Sequence, residues 1–348
     1  MKRNRYSLKH IAEISGVSLS SVSRALDPAR CHLVRSAVRE KINKCVDEVN
    51  FSVNLSARRL RLNKAEVITV IVYLDSFKKR NFSVEFVSPS AGRDDIQCLS
   101  AAIKAHHYDM KIEFIVPGQQ LPIHIFDRQR TDGVIFVSYY GTEYVEHLEK
   151  IKLPNLYMSR YIDTSRRDVG LIGLDREPGY RNAIERLKEE GRRRFTWFSP
   201  CTVTSLRVNI NIVNELFREY DVFDEKRFLT NISCYYDIQD VLKSRDIGDV
   251  IFCSNDAIAN WVVRELRRNG VRVPEDVAVV GYDNDPAFQG EDSNNLATID
   301  APKATMAEAA VEQLLAVIDS ENTAERPHVL LDTVFIPGDT ALTQEKGD

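Results

Sequence analysis

The sequence predicts a small all-α helix-turn-helix head followed by two α/β lobes built on parallel sheets. Three observations predict it. Two short amphipathic helical patterns meet at a tight Gly16-Val17-Ser18 turn near the amino end. From Val67 onward, β-branched runs alternate with helical patterns, the signature of parallel sheets covered on both faces. The charge also divides: residues 1–62 hold 13 Lys and Arg against 5 Asp and Glu, a balance of +8, leaving −12 on the remainder of a chain whose total is −4.

The head is legible residue by residue. Ser7 precedes the apolar spacing Leu8, Ile11, Ala12, and Gly16 ends the pattern two turns later, so residues 8–15 read as a capped helix. Ser18 is a good N-cap for a second helix, and Val17 before it can staple onto Val22. Three residues joining two helices at a steep angle make a helix-turn-helix unit. On the second helix Val22, Ala25 and Leu26 share one face, while Ser20 and Arg24 fall opposite with Ser23 between. Serine hydroxyls can meet a base edge or a phosphate, and arginine can fork onto guanine or clamp a phosphate. Leu19 lies at the edge of the core face, where it can either pack inside or touch a thymine methyl. After an irregular Asp27–Arg30 loop, Val34, Val38, Ile42, Cys45, Val46 and Val49 at steps of three and four predict a third helix that completes the core. The segment 54–61 is polar and basic, and too short to hold a helix alone.

The blocks Ser7-Leu8-Lys9-His10-Ile11-Ala12, Gly16-Val17-Ser18, Val22-Ser23-Arg24, Arg39-Glu40-Lys41-Ile42 and Asn54-x-x-Ala57-Arg58-x-Leu60 occur in order and resemble the head of the LacI/GalR family of bacterial transcription regulators. The resemblance implies that the second helix enters the major groove of operator DNA and that the hinge helix folds on it. By position, Leu19, Ser20 and Arg24 become base readers, with Ser7, Ser18, Ser21 and Ser23 as further DNA contacts. Asn54, Ala57 and Arg58 become hinge contacts, and Leu60 the wedge that unstacks a minor-groove step. A basic head suits this role, because phosphate contact releases condensed counterions. Three features depart from the family: Val34-Arg35 stands where a serine or threonine usually caps the third helix, the loop before that helix is about two residues longer, and Val53 replaces the proline that commonly opens the hinge. The domain boundary falls at 62/63, with the hinge at 54–61 and residues 63–348 as effector-binding and dimerisation domain.

In the body the strand-like runs are Val67–Leu74, Lys111–Val116, Gly133–Val137, Pro154–Met158, Arg194–Phe198, Asp249–Cys253 and Val277–Gly281. The roughly 280 residues after the head exceed one typical core, so two lobes are expected. Ligands of such lobes bind beyond the carboxyl ends of the strands. Polar residues stand there: Ser159-Arg160, Asn255-Asp256 and Tyr282-Asp283-Asn284. The motifs Val169-x-x-Ile172-x-x-Asp175, Ser205-x-Arg207, Ser254-Asn255-Asp256-x-x-Ala259, Val279-Val280-Gly281-Tyr282-Asp283-Asn284 and Thr298-Ile299-x-x-Pro302 extend the family resemblance to its periplasmic-binding-protein-like effector domain. It implies effector contacts from Asp75, Ser159, Arg160, Arg207, Asn255 and Asp283, a set whose carboxylate, amide and guanidinium suit a sugar. Asn255 and Asp256 can equally cap the next helix, Asp283 can satisfy loop amides, and Arg207 can be a surface residue. Ser159, Ile210 and Trp261 differ from the usual family residues. The basic Lys78-Lys79-Arg80 can favour an anionic effector, although a solvated loop is the plainer reading.

No phosphate loop GxxxxGK, nucleophile elbow GxSxG or zinc motif HExxH occurs, so no enzymatic activity, cofactor or metal is expected. The six cysteines are scattered without a CxxC pair and read as buried thiols. No apolar run of about 18 residues and no signal-like start occurs, which predicts a cytoplasmic, nucleoid-associated protein without a membrane partner. The expected partners are a pseudo-palindromic double-stranded operator, a sugar-like effector and a second copy of the chain. The competing readings are an effector-insensitive architectural DNA-binding protein and a sugar-processing enzyme carrying a DNA-binding head.

Overall fold

The computed structural model describes residues 6–27, 30–51, 59, 64–73, 93–115, 129–138, 152–159, 169–199, 207–230, 235–244, 246–289, 295–320 and 326–341. The head consists of α1 (Leu8–Ser15), α2 (Leu19–Ala25) and α3 (Ser36–Glu48), with a 3-10 turn over Cys31–Leu33. The expected start and stop of α1 and the expected start of α2 are present. Ser7 Oγ accepts the His10 backbone N–H, and Gly16 closes α1 in the left-handed region at φ 62°. Ser18 Oγ accepts the Ser21 N–H at 3.1 Å. Ile11, Val22, Ala25 and Ile42 form the buried centre, ringed by Leu8, Val17, Leu26, Val34, Val38, Val46 and Val49. As expected from Val34-Arg35, α3 has no side-chain cap; the Ser36 hydroxyl turns to Glu40 instead, at 3.0 Å.

Two six-stranded sheets make up the body. The first has the order β11-β5-β4-β3-β1-β2, from β1 (Val67–Tyr73), β2 (Asp109–Ile115), β3 (Gly133–Ser138), β4 (Asn155–Met158), β5 (Leu171–Asp175) and β11 (His328–Asp332). All its pairings are parallel. The second has the order β12-β10-β9-β8-β6-β7, from β6 (Phe195–Phe198), β7 (Phe228–Leu229), β8 (Val250–Cys253), β9 (Ala278–Tyr282), β10 (Thr298–Asp300) and β12 (Val334–Ile336). Among the described strands here only β12 runs antiparallel, against β10. The chain passes between sheets after β5, after β10 and after β11, so neither lobe is one continuous stretch of sequence.

Six helices cover the sheets among the described residues: α4 (Arg93–Ala105), α5 (Glu177–Glu189), α6 (Arg207–Glu219), α7 (Tyr235–Ser244), α8 (Asp256–Arg268) and α9 (Lys303–Ser320). None is long and apolar enough to cross a membrane. The near-continuous burial of β4, β6, β8 and β9 is the mark of strands covered on both faces. Gly179 on α5 is required by close approach, because a Cβ there would lie 2.6 Å from Ile299 and 2.7 Å from Thr333 Oγ1. The segment entering β1 is tied to the first lobe. Asp132 accepts the Ala65 and Glu66 N–H groups at 2.8 and 2.6 Å, and Lys64 bonds Asp319 at 2.9 Å. That pairing raises the Lys64 pKa above its ordinary value.

The cysteine expectation needs correction. Cys253 is fully buried, and burial pushes its thiol pKa well up, but Cys31, Cys45 and Cys98 are only half-buried. Their helical periodicity placed them at the margins of apolar stripes rather than inside. Cys201 and Cys234 lie outside the described residues.

Candidate nucleic-acid interface and effector site

The amino end of α2 gathers hydroxyls. Ser18 Oγ bonds Ser20 Oγ at 2.8 Å and Ser21 Oγ at 2.9 Å, while also capping the helix. Ser18, Ser20 and Arg24 are exposed, Ser21 and Ser23 half-buried, and Val22 and Ala25 hold the opposite, buried face. Leu19, whose angular position fitted either side, is 50% exposed and packs outside the head core. An exposed leucine beside serine hydroxyls and an arginine can read a base edge, a methyl group and a phosphate from one short helix. Ser7 is exposed but already spends its hydroxyl on the α1 cap. Asn54, Ala57, Arg58 and Leu60 lie outside the described residues. Arg59, between them, bonds Asp109 at the start of β2.

Three of the six predicted effector residues, Ser159, Asn255 and Asp283, stand just past strands of parallel sheets, where such lobes present ligands. Ser159 immediately follows β4 and is nearly buried, its N–H donating to the Ile172 carbonyl at 3.1 Å. Asn255 is the N-cap of α8, its Oδ1 accepting the Ile258 N–H at 2.9 Å. Asp283 follows β9 and is nearly buried. Its φ of 108° and that of Asn284, 47°, put two non-glycine residues in the left-handed half of backbone space. Such strain persists only where the surroundings over-determine it, and it gathers at functional sites. Ser159 belongs to the first sheet, Asn255 and Asp283 to the second. Asp75 and Arg160 lie outside the described residues, and Arg207 is placed as the first residue of α6.

Asp256 proves to be something other than a cap. Asn255 does the capping, and the Asp256 carboxylate accepts the Thr298 hydroxyl at 2.7 Å and the Asp285 N–H at 2.7 Å. Thr298 Oγ1 in turn accepts the Asn284 N–H at 3.3 Å. Asp256 therefore fastens the strained Asp283–Asp285 exit of β9 to β10. Gly281 leaves the space for this, since a Cβ there would sit 2.1 Å from Asp256 Oδ1. Burial drives the Asp256 carboxyl well above the usual carboxylate range, and the neighbouring Asp283 and Asp285 push the same way. The sequence showed Thr298 and Asp285 without revealing that they meet Asp256.

Two departures from the family pattern are half-buried. Ile210 packs against the main core, and Trp261 packs beside the second-sheet core with the Arg264 guanidinium 5.1 Å from its ring.

The family of bacterial regulatory proteins described as the lacI family matches residues 7–54. The periplasmic binding protein-like domain matches residues 167–341, just over half of the chain. The HTH-type transcriptional repressor PurR of Vibrio atlanticus is 25% identical over 330 residues, spanning 92% of this chain and 94% of that protein. Among solved structures, the lac repressor dimer bound to operator and the anti-inducer ONPF aligns over 97% of this chain and 99% of its own, with a TM-score of 0.68 at 19% identity. The complex of the regulator CelR with cellobiose aligns over 97% and 100%, with a TM-score of 0.63 at 21% identity. With a regulatory-protein head at one end and a periplasmic binding protein-like body over more than half its length, the chain belongs to the LacI family of bacterial transcription regulators.

Proposed function

We propose that the protein is a homodimeric, cytoplasmic, nucleoid-associated repressor of carbohydrate-utilisation genes. Residues 1–62 are its operator-binding head, with the hinge at 54–61, and residues 63–348 its effector and dimerisation domain. The observation that carries the DNA reading is the exposed face of α2, where Ser20 and Arg24 stand beside an exposed Leu19 on a helix whose other side is buried. The relatives are named as regulators, and the protein acts by binding rather than by catalysis. The solved CelR complex holds cellobiose, which makes a sugar the effector class to test first. A sugar that binds one arrangement of the lobes better than the other shifts their equilibrium and with it operator affinity, because differential affinity is the only means by which a ligand moves such a balance.

Arg24→Ala is expected to weaken operator binding by about 1–3 kcal/mol and to relax preference at one base position in each half-site. Leu60→Ala is expected to reduce the operator bend. Fluorescence anisotropy against a selected pseudo-palindrome and its single-base variants measures the first, and a circular-permutation gel the second. Unchanged affinity and preference in both variants would remove the proposed readout.

For the effector, a thermal-shift screen of neutral sugars and sugar phosphates is expected to stabilise the wild-type protein, with Asp283→Ala losing most of the shift. At a ligand concentration of 100 times Kd the stabilisation amounts to about 2.7 kcal/mol. A wild-type melting point that no sugar moves would favour an effector-insensitive DNA-binding protein.

A further inference from the structure

The second lobe buries polar side chains whose hydrogen-bonding atoms have no partner among the described residues, Trp197, Ser254 and Asn209 among them. Among the described residues, Trp197 Nε1, Ser254 Oγ and both amide atoms of Asn209 have no partner, although each residue is at most 1% exposed. A buried polar atom left unbonded is costly, and native structures retain few of them.

The topology places the three on one face of the sheet, Ser254 and Asn209 level with Ser199 and Trp197 two residues before that level. Trp197 on β6 pairs in register with Phe252 on β8. Ser254 stands two residues beyond Phe252, its N–H still bonded to the Phe198 carbonyl at 3.0 Å, so it shares that face by strand alternation. Asn209 opens the buried stripe of α6, which continues through Val213, Leu216 and Phe217. Phe217 packs edge-on against Phe195 at 5.7 Å and Phe252 at 5.8 Å. β7 is parallel to β6, so the connecting α6 runs back along the sheet and its first turn lies at the carboxyl end. Eight helical residues span about 12 Å. At about 3.3 Å per strand residue, that carries Asn209 from the level of Phe195 to that of Ser199 and Ser254.

We infer that Asn209, Ser254 and the Trp197 indole N–H form a binding subsite for hydroxyl groups of a neutral polyhydroxylated effector. The inference rests on the effector reading above and narrows it. The three supply donors and acceptors without a net charge, which matches vicinal hydroxyls and offers nothing to neutralise a phosphate. They lie at the carboxyl end of the sheet, where parallel α/β lobes take ligands. All three are closed to solvent in this arrangement, so a ligand hydroxyl reaches them only as the surroundings re-pack, and occupancy selects the re-packed state. A permanently held water would satisfy the same atoms, and the two occupants separate by experiment.

Full-length wild type, Asn209→Leu and Ser254→Ala are compared by calorimetry without ligand, and by titration with D-ribose, D-glucose, cellobiose and D-glucose 6-phosphate. With a ligand subsite, removing an unmet amide raises the ligand-free melting point of Asn209→Leu by about 2–6 °C. Its Kd for the responding neutral sugar rises at least about tenfold, and that of Ser254→Ala about three- to tenfold, as expected for hydroxyl recognition by buried polar groups. A ligand-free melting point that falls in both variants identifies a structural water and overturns the subsite. So does an unchanged sugar Kd in variants of a wild type that responds, which leaves the effector reading standing. A response to D-glucose 6-phosphate alone overturns the neutral ligand while keeping an effector. If no compound affects wild type, the subsite falls together with the sugar class. Should Asn209→Leu fail to fold, Ser254→Ala decides by the same criteria.

Discussion

Ile42→Ala is expected to abolish operator binding while leaving the thermal transition of the body within about a degree of wild type. Ile42 is completely buried at the centre of the head, against Ile11, Val22 and Ala25. Truncating a buried isoleucine to alanine costs about 2–5 kcal/mol, the lost transfer energy plus the cavity left behind. A three-helix unit of this size buries a small fraction of its chain and is correspondingly marginal, so that loss consumes most of its stability. The α1–α2 angle depends on this core, and with it the presentation of Ser20 and Arg24. Operator anisotropy and two-transition calorimetry on the full chain measure the two halves of the prediction. Binding retained within twofold would mean that the head core is deeper than these buried residues indicate.

The contrast between head and body shows where sequence reading works. α1 and α2 were legible to the residue because Ser7, Gly16 and Ser18 act within one turn of their own position. Leu19 was not, since its side-chain angle fits the margin of the core face and the surface alike; only packing placed it outside. In the body, the seven β-branched runs all became strands, with ends within about two residues, the ordinary scatter of element boundaries. The strands β5 and β11 and the short strands β7, β10 and β12 were not identified. β7 has two residues and β10 and β12 three each, too few for alternation to register. β11 joins the first sheet only through its pairing with β5, His328 opposite Leu171, far apart in sequence. The interleaving of the lobes was hidden for that reason.

The candidate effector site divides on the same line. Position just past a strand is a local property, and Ser159, Asn255 and Asp283 stand there as expected. What holds them is non-local. Asp256, Asp285 and Thr298 meet across two strands, and the unmet polar groups of Asn209, Trp197 and Ser254 come from three separate elements. No periodicity encodes either arrangement. The departures Ile210 and Trp261 are half-buried, the first against the main core and the second beside the second-sheet core.

Asp256→Ala is expected to lower the melting point of the body by about 5–10 °C, the equivalent of about 2–3 kcal/mol in a domain of this size. The substitution strands the Asp285 N–H and the Thr298 hydroxyl in the interior and frees the strained Asp283–Asn284 turn. Its effect should therefore reach effector affinity as well as stability. Asp256→Asn should be milder, because an amide oxygen can keep the Asp285 N–H while the NH2 group donates to Thr298. The pair also separates charge from bonding. Burial, with Asp283 and Asp285 close by, raises the Asp256 carboxyl above its unfolded value of about 4, so in the window above that value the folded protein binds more protons than the unfolded chain. Stability from this group is then fully present at low pH and is lost as pH rises toward the folded pKa. An amide at this position carries no such dependence, and the melting-point difference between wild type and Asp256→Asn should narrow as pH rises from about 5 to 8. A difference that widens instead would mean that the two accepted hydrogen bonds outweigh burial, and that Asp256 holds the β9 exit as a carboxylate throughout.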